Sequence, residues 1–352
     1  MADVCVRKNY HALDLAKFIC ALTIISSHFA SEWGHFPQIV DYAFSIYVIA
    51  CPFFFCCSGF LFFNKLKSLA TKEQKKEYFI HYEKRIWIMY GCWTLVYLPF
   101  LVLSWKMQGV LNIDTILRYL HKCLVIQTYP TIWFLPALAV GVAIVYFLHT
   151  RISKKGLLAI AVVLYVFGMF GYTYNFAIAN TPIQEFYDVY NSLFFTVRNG
   201  VFNATPFIIM AYSISEGYNP RETKKSVKYF IGSVIFLFLM VAESFILKMK
   251  FNVTGMDIGV FLVPLTYFLM KWCLSLNLKD SKIYLWLRKL SVLIFVSQRL
   301  FLTALPTVFY GVFERIYANS YIGLFAVIAF TVIFSIVLIV LSKKIKVLKY
   351  FM

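Results

Sequence analysis

Long apolar runs recur along the chain, separated by shorter polar stretches. An α-helix needs about 20 apolar residues to cross a hydrocarbon layer. On that measure the pattern predicts about ten transmembrane helices. Their spans are 13–32, 41–63, 86–105, 132–150, 156–174, 201–217, 228–247, 254–272, 289–306 and 321–342. The fold class expected is all-α, a polytopic membrane helical bundle, as a single integral membrane domain over 1–352. The pattern shows no internal repeat, low-complexity tract or soluble domain. Two connecting segments, roughly 106–131 and 175–200, are long and partly amphipathic, with Leu111, Ile113, Ile116, Leu117 and Leu120 near helical spacing. Helices lying in the membrane interface are expected there. The segment 64–85 is charged and helix-prone, and Pro206 and Pro264 predict kinks in the sixth and eighth helices.

Composition agrees with this pattern. Hydrophobic residues make up 61% of the 352, against roughly 45–50% in soluble domains. The net charge of +18 would suggest nucleic acid in a soluble protein, but the basic residues sit between apolar runs. They cluster in alternate loops: Arg7 and Lys8; Lys65 to Arg85; Arg151, Lys154 and Lys155; Arg221, Lys224, Lys225 and Lys228; Lys271 to Lys289; Lys343, Lys344, Lys346 and Lys349. The other side carries few, among them Lys106, Arg118, Lys122, Arg198 and Lys248. The positive-inside rule then predicts N-in, C-in and an even helix count. The expected location is the inner or plasma membrane, as a multi-pass protein without nucleic-acid partners. A basic inner face also attracts anionic cytoplasmic substrates such as a nucleotide-bearing cofactor.

The eight cysteines show no zinc spacing and no disulfide framework, so they read as small apolar residues and no metal is expected. Asp14 and Lys17 interrupt the first apolar run, and no A-x-A site follows, so a retained first helix is expected rather than a cleaved signal. The sequons at Asn203 and Asn252 lie at helix starts and carry no weight.

Ionisable residues inside a membrane are costly and mark functional candidates. The first helix holds Asp14, Lys17 and His28. Asp14 and Lys17 share a helix face. A local ion pair snorkelling to the interface accounts for them; the functional reading turns Lys17 into the bundle to meet an anionic ligand from the cytoplasm. His28 stands eleven residues beyond Lys17, about 16 Å along the axis. An imidazole there is either a structural group or one that takes a proton from a hydroxyl. Ser58-Gly59, in a Phe-lined helix, is either a close-packing notch or room for a narrow acyl-pantetheine arm. Lys84 and Arg85 open the third helix, and Trp133 begins the fourth as a belt anchor. Glu243 and Arg299 lie within the seventh and ninth helices, and each needs a partner or a wet cavity.

Taken in order, these segments resemble the acyltransferase 3 family of bacterial membrane acyltransferases, over most of the chain and most strongly in its first third. The resemblance rests on Leu13-Asp14, Lys17 and His28 with their spacing of eleven; Phe54-Phe55-Cys56-Cys57-Ser58-Gly59-Phe60; Lys84-Arg85 followed by a Tyr-containing segment to Tyr90; Trp133-Phe134-Leu135; and Arg198-Asn199-Gly200-Val201-Phe202. Three positions depart from the family pattern. Lys17 replaces the usual Arg, which keeps the charge without a bidentate grip. Tyr82 replaces the first Arg of RxxR at the third helix. Gln298 and Arg299 stand where members often have His.

The resemblance implies transfer of an acyl group, often acetyl, from acyl-CoA as co-substrate, with no bound cofactor. The acceptor implied is a hydroxyl of a cell-envelope glycan or lipid-linked sugar. It implies His28 as catalytic base or acyl relay. Lys17, Ser58, Gly59, Lys84 and Arg85 would form the acyl-donor site, and Asp14, Trp133, Arg198, Glu243 and Arg299 would be supporting residues. Two readings compete: a transporter or flippase for a lipid-linked saccharide, without chemistry, and an inactive family member with a scaffold role.

Overall fold

The structure is a computed structural model, and it describes residues 9–37, 40, 43, 45–218, 226–253 and 255–352. Arg7, Lys8, Arg221, Lys224 and Lys225 of the expected basic flanks, and the first residues of the expected spans 41–63 and 254–272, lie outside them. The described residues form helices and no strands. In chain order these are α1 (His11–Glu32), α2 (Ala50–Lys67), α3 (Lys72–Met107), α4 (Ile113–Val125), α5 (Phe134–Leu148), α6 (Lys154–Phe170) and α7 (Pro182–Phe194). They continue with α8 (Thr205–Glu216), α9 (Ser226–Phe251), α10 (Leu262–Ser275) and α11 (Lys282–Arg299). A π turn over Leu300–Ala304 follows α11, and then come α12 (Tyr310–Tyr317) and α13 (Ser320–Leu341).

Local sequence sets many of these boundaries. Thr71 and Gln74 form a reciprocal capping box that starts α3 well before the expected 86–105. Asn112, Ser153 and Asn319 cap α4, α6 and α13 through their side-chain oxygens. Asn252, at φ +53°, ends α9 in the left-handed region that asparagine tolerates.

Among the described residues, six helical segments are long and apolar enough to cross a membrane: His11–Glu32, Ser45–Lys67, Lys72–Met107, Ser226–Phe251, Lys282–Val308 and Ser320–Leu341. The other four expected spans coincide with α5, α6, α8 and α10, which are helical but shorter. Pro206 and Pro264 stand near the starts of α8 and α10, Pro206 directly after a π turn over Gly200–Ala204. The missing N–H of a proline costs nothing in a first turn. The expected amphipathic segments are indeed helices, α4 and α7, with Ile113, Leu117, Leu120 and Leu124 of α4 and Ile183, Phe186 and Val189 of α7 exposed.

Burial separates the centre from the rim. The most apolar stretch of Ser45–Lys67 is 72% buried, and that of α13 only 22%. α2 is therefore the core, with Phe53, Phe55, Phe60 and Phe62 enclosed, while α13 turns most of its surface outward. A helix apolar on all sides is stable in both positions. Two buried hydroxyls of α13 bond back to their own helix, Thr331 to Val327 O at 2.7 Å and Ser335 to Thr331 O at 2.8 Å, which satisfies them away from water. α1 packs mainly on α11, α2 on α8 and α9 on α10. The α1–α11 contact brings the chemistry-bearing residues together.

Candidate functional site

Polar side chains gather at both ends of α1. At the Lys17 end, Asp14 is buried and accepts two hydrogen bonds from Arg288 of α11, Nε to Oδ1 at 2.9 Å and Nη2 to Oδ2 at 2.8 Å. Arg288 Nη2 also reaches Asn9 Oδ1 at 3.3 Å. Lys17 Nζ lies 3.9 Å from Asp14 Oδ1. Lys17 is only 7% exposed, so it is turned into the bundle rather than snorkelling to the interface. Its near neighbours include Cys57, Arg288 and Arg85. Lys84 and Arg85 are exposed. The Arg85 guanidinium lies 5.7 Å from the centroid of the Tyr82 ring. Tyr82, which stands at the first position of the expected RxxR, thus lies beside Arg85.

Gly59 serves close packing. A Cβ there would come within 2.9 Å of the Ala211 Cβ and 3.3 Å of Ile208 Cγ2, so its small size lets α2 and α8 meet.

At the other end, Arg299 organises the cluster. Its Nη2 lies 3.1 Å from His28 Nδ1, its Nη1 pairs with Glu32 Oε1, and its Nε donates to Thr131 Oγ1 at 3.1 Å. His28 and Glu32 are four residues apart on α1 and share a face. One guanidinium therefore ties α1, α11 and the segment before α5 together. The Tyr47 ring lies 6.2 Å from the imidazole, centroid to centroid.

A second guanidinium lies within electrostatic reach of His28, that of Arg198. Arg198 Nη1 donates to Asp257 Oδ2 at 2.7 Å, and Tyr172 Oη donates to the same oxygen at 3.2 Å. The Arg198 guanidinium lies 4.8 Å from the Trp133 ring centroid and 5.7 Å from that of Tyr172. Trp133 is thus buried beneath a cation and is not a lipid-facing belt residue. Burial by itself lowers the pKa of Arg198, but the Asp257 carboxylate more than offsets this and raises it, so Arg198 stays a cation.

Both arginines adjoin π turns, Gly200–Ala204 after Arg198 and Leu300–Ala304 after Arg299. Such turns re-aim side chains within a helix and are frequent at functional sites. Gly200 is required by contact: a Cβ there would meet Val140 Cβ at 2.6 Å and Ala137 O at 3.0 Å.

Glu243 stands apart from both clusters. Its carboxylate accepts from Val260 N at 2.7 Å, Phe261 N at 3.1 Å and Tyr174 Oη. It binds the free amides at the start of α10, a structural task that also fits the attraction of a carboxylate to a helix N-terminus. Among the described residues, no three His, Cys, Asp or Glu side chains converge on a metal site.

Of the sequence candidates, the structure joins His28 with Arg299, Trp133 with Arg198, and Asp14 with Lys17. Sequence reasoning missed Glu32, Thr131, Tyr47, Tyr172, Asp257 and Arg288. Glu32 had a signal, its i+4 spacing from His28. Arg288 had none, because it sits in a basic stretch that reads as a flank.

Comparison with known proteins gives two kinds of result. Curated relatives include an amino-acid racemase of Enterococcus faecalis, 29% identical over 63% of this chain and 30% of that protein. A serine/alanine racemase of Enterococcus gallinarum is 26% identical over 64% of this chain and 32% of that protein. A further amino-acid racemase of Enterococcus faecalis is 23% identical over 98% of this chain and 48% of that protein. The chain therefore spans about half, or less, of the length of the curated relatives it matches. No solved structure matches. The acyltransferase 3 family, described as an acyltransferase domain, matches residues 10–341. With nearly its whole length matched, and His28 and Lys17 on one helix as the resemblance implied, the chain belongs to the acyltransferase 3 family.

Proposed function

We propose that this chain is a multi-pass O-acyltransferase of the inner or plasma membrane. It moves an acyl group, acetyl in the simplest case, from cytoplasmic acyl-CoA to a hydroxyl of an envelope glycan or lipid-linked sugar. One observation carries this reading. α1 holds a buried cation, Lys17, near one end and His28, clamped by Arg299, towards the other, about 16 Å further along the axis. Cations at Lys17, Arg85 and Arg288 suit the phosphates of CoA. Tyr82 lies beside Arg85. At the far end His28, Glu32 and two guanidiniums supply proton transfer and stabilise the charge that develops on a thioester oxygen. Family membership supports the reaction class. The acyl group, the donor and the acceptor are those the family resemblance implies, and the cations at the Lys17 end suit such a donor.

The test is label transfer from radioactive acetyl-CoA in proteoliposomes with envelope glycan on the far side, comparing the wild type with His28→Ala. Transfer that disappears in a folded His28→Ala protein is the expected result. Transfer unaffected by that change overturns the assignment of His28.

A second reading is transport of a lipid-linked saccharide without chemistry, which buried charges in a bundle of apolar helices also suit. Such a protein would move the lipid-linked saccharide across proteoliposome membranes and leave acetyl-CoA intact.

A further inference from the structure

The contact between Arg299 and His28 has a consequence for the proton. Every polar hydrogen on a guanidinium is a donor, and an arginine has no acceptor. His28 Nδ1, 3.1 Å from Arg299 Nη2, therefore faces Arg299 with its lone pair. A neutral imidazole in that state carries its single proton on Nε2. Its lone pair is already engaged, and its remaining nitrogen is a donor, so the ring has no free position for taking a proton.

The same guanidinium holds a carboxylate beside the ring. Arg299 Nη1 engages Glu32 Oε1, yet the Glu32 side chain stays one-quarter exposed, at 25%. The other carboxylate of this cluster, Asp257, is taken up by Arg198 and Tyr172.

On the acyl-transfer reading above, we propose that Arg299 is a positioning residue that fixes His28 as an Nε2–H donor, and that Glu32 is the group that receives the acceptor's proton. The hydroxyl oxygen bonds to the thioester carbonyl carbon as its proton passes to Glu32. The carbonyl oxygen, negative in the tetrahedral adduct, accepts a hydrogen bond from His28 Nε2. The carbon–sulfur bond then breaks, and the CoA thiolate takes the proton from Glu32. The products are the ester and CoA thiol, with Glu32 and His28 restored.

The tautomer is read first, without turnover. Full-length protein labelled with 15N in its histidine rings is placed in nanodiscs, and the His28 signals are assigned by their loss in His28→Ala. A protonated Nε2 and a bare Nδ1, giving way to mixed tautomers in Arg299→Met, is the expected pattern. A proton on Nδ1 in the wild type overturns the proposal. Release of CoA from acetyl-CoA is then followed in proteoliposomes containing envelope glycan. Glu32→Gln keeps the shape and should lower kcat by about 100-fold, the usual worth of a general base, with KM for acetyl-CoA unchanged. His28→Gln retains an N–H donor and should keep more activity than His28→Ala. Near-normal kcat in Glu32→Gln, with His28→Gln as inactive as His28→Ala, would return the base to His28 and overturn the proposal. No CoA release by the wild type counts against the acyl-transfer reading alone, because the tautomer is measured independently.

Discussion

Arg288 of α11 binds Asp14 of α1 through two hydrogen bonds across 274 positions of sequence. It does so beside Lys17, which reaches only one Asp14 oxygen, at 3.9 Å. The carboxylate is nearly enclosed, while Arg288 keeps about a third of its side chain exposed. Arg288→Met should therefore leave a buried charge poorly compensated and destabilise the protein by about 3 kcal/mol, the lower end for a broken buried pair. Thermal unfolding in detergent measures this. In a double-variant cycle, adding Asp14→Asn should recover part of the loss. Strictly additive losses would show that the pair does not act as a unit.

Arg198 is held over the face of the Trp133 ring as well as by its bond to Asp257. Arg198→Lys keeps the charge and loses the guanidinium over the ring. Acyl transfer should fall by roughly tenfold, since a desolvated cation–π contact contributes about 1–2 kcal/mol. Trp133→Leu should show a similar loss. Steady-state kinetics of the two single variants and the double variant check that they act on one element, with the double no worse than about the larger single loss.

Arg85 is exposed and lies at the Lys17 end of the bundle. Arg85→Ala should raise KM for acyl-CoA several-fold, leave kcat close to wild type and leave the melting temperature within about 1 °C, since exposed substitutions seldom cost more than ±0.5 kcal/mol. Raising the salt concentration should lift the wild-type KM and narrow its difference from the variant, because exposed charges are screened. A KM unchanged by the substitution would remove Arg85 from the donor site.

Gly59 lets α2 approach α8, with the place of its missing Cβ only 2.9 Å from Ala211 Cβ. Gly59→Ala should destabilise by about 1–3 kcal/mol through overpacking. Ala211→Gly, added to it, should restore much of the loss. A Gly59→Ala protein that melts like wild type but binds acyl-CoA poorly would instead assign the position to the ligand.

The sequence by itself determined the all-helical class, the approximate places of the helices and several residues of the candidate site, Lys17 and His28 among them. Apolar length, capping residues and the eleven-residue spacing are local features, and local features are read directly from a chain. Lys17 and His28 stood out because charge in an apolar run is costly wherever that run packs. The tertiary structure decided which residues those groups meet. Glu32 ends α1, Asp257 lies in a loop and Arg288 belongs to the basic stretch of α11, places where charge costs little or reads as a flank, so nothing in the order of residues singled out Asp257 or Arg288. Arg299 and Glu243 looked alike in sequence, each a charge within an apolar helix. Only packing separated them: α11 lies against α1 and delivers Arg299 to His28, whereas Glu243 of α9 meets the free amides at the start of α10. The same distinction holds for Gly59, whose role depends on a helix about 150 residues away in sequence, because a close contact is a property of two surfaces.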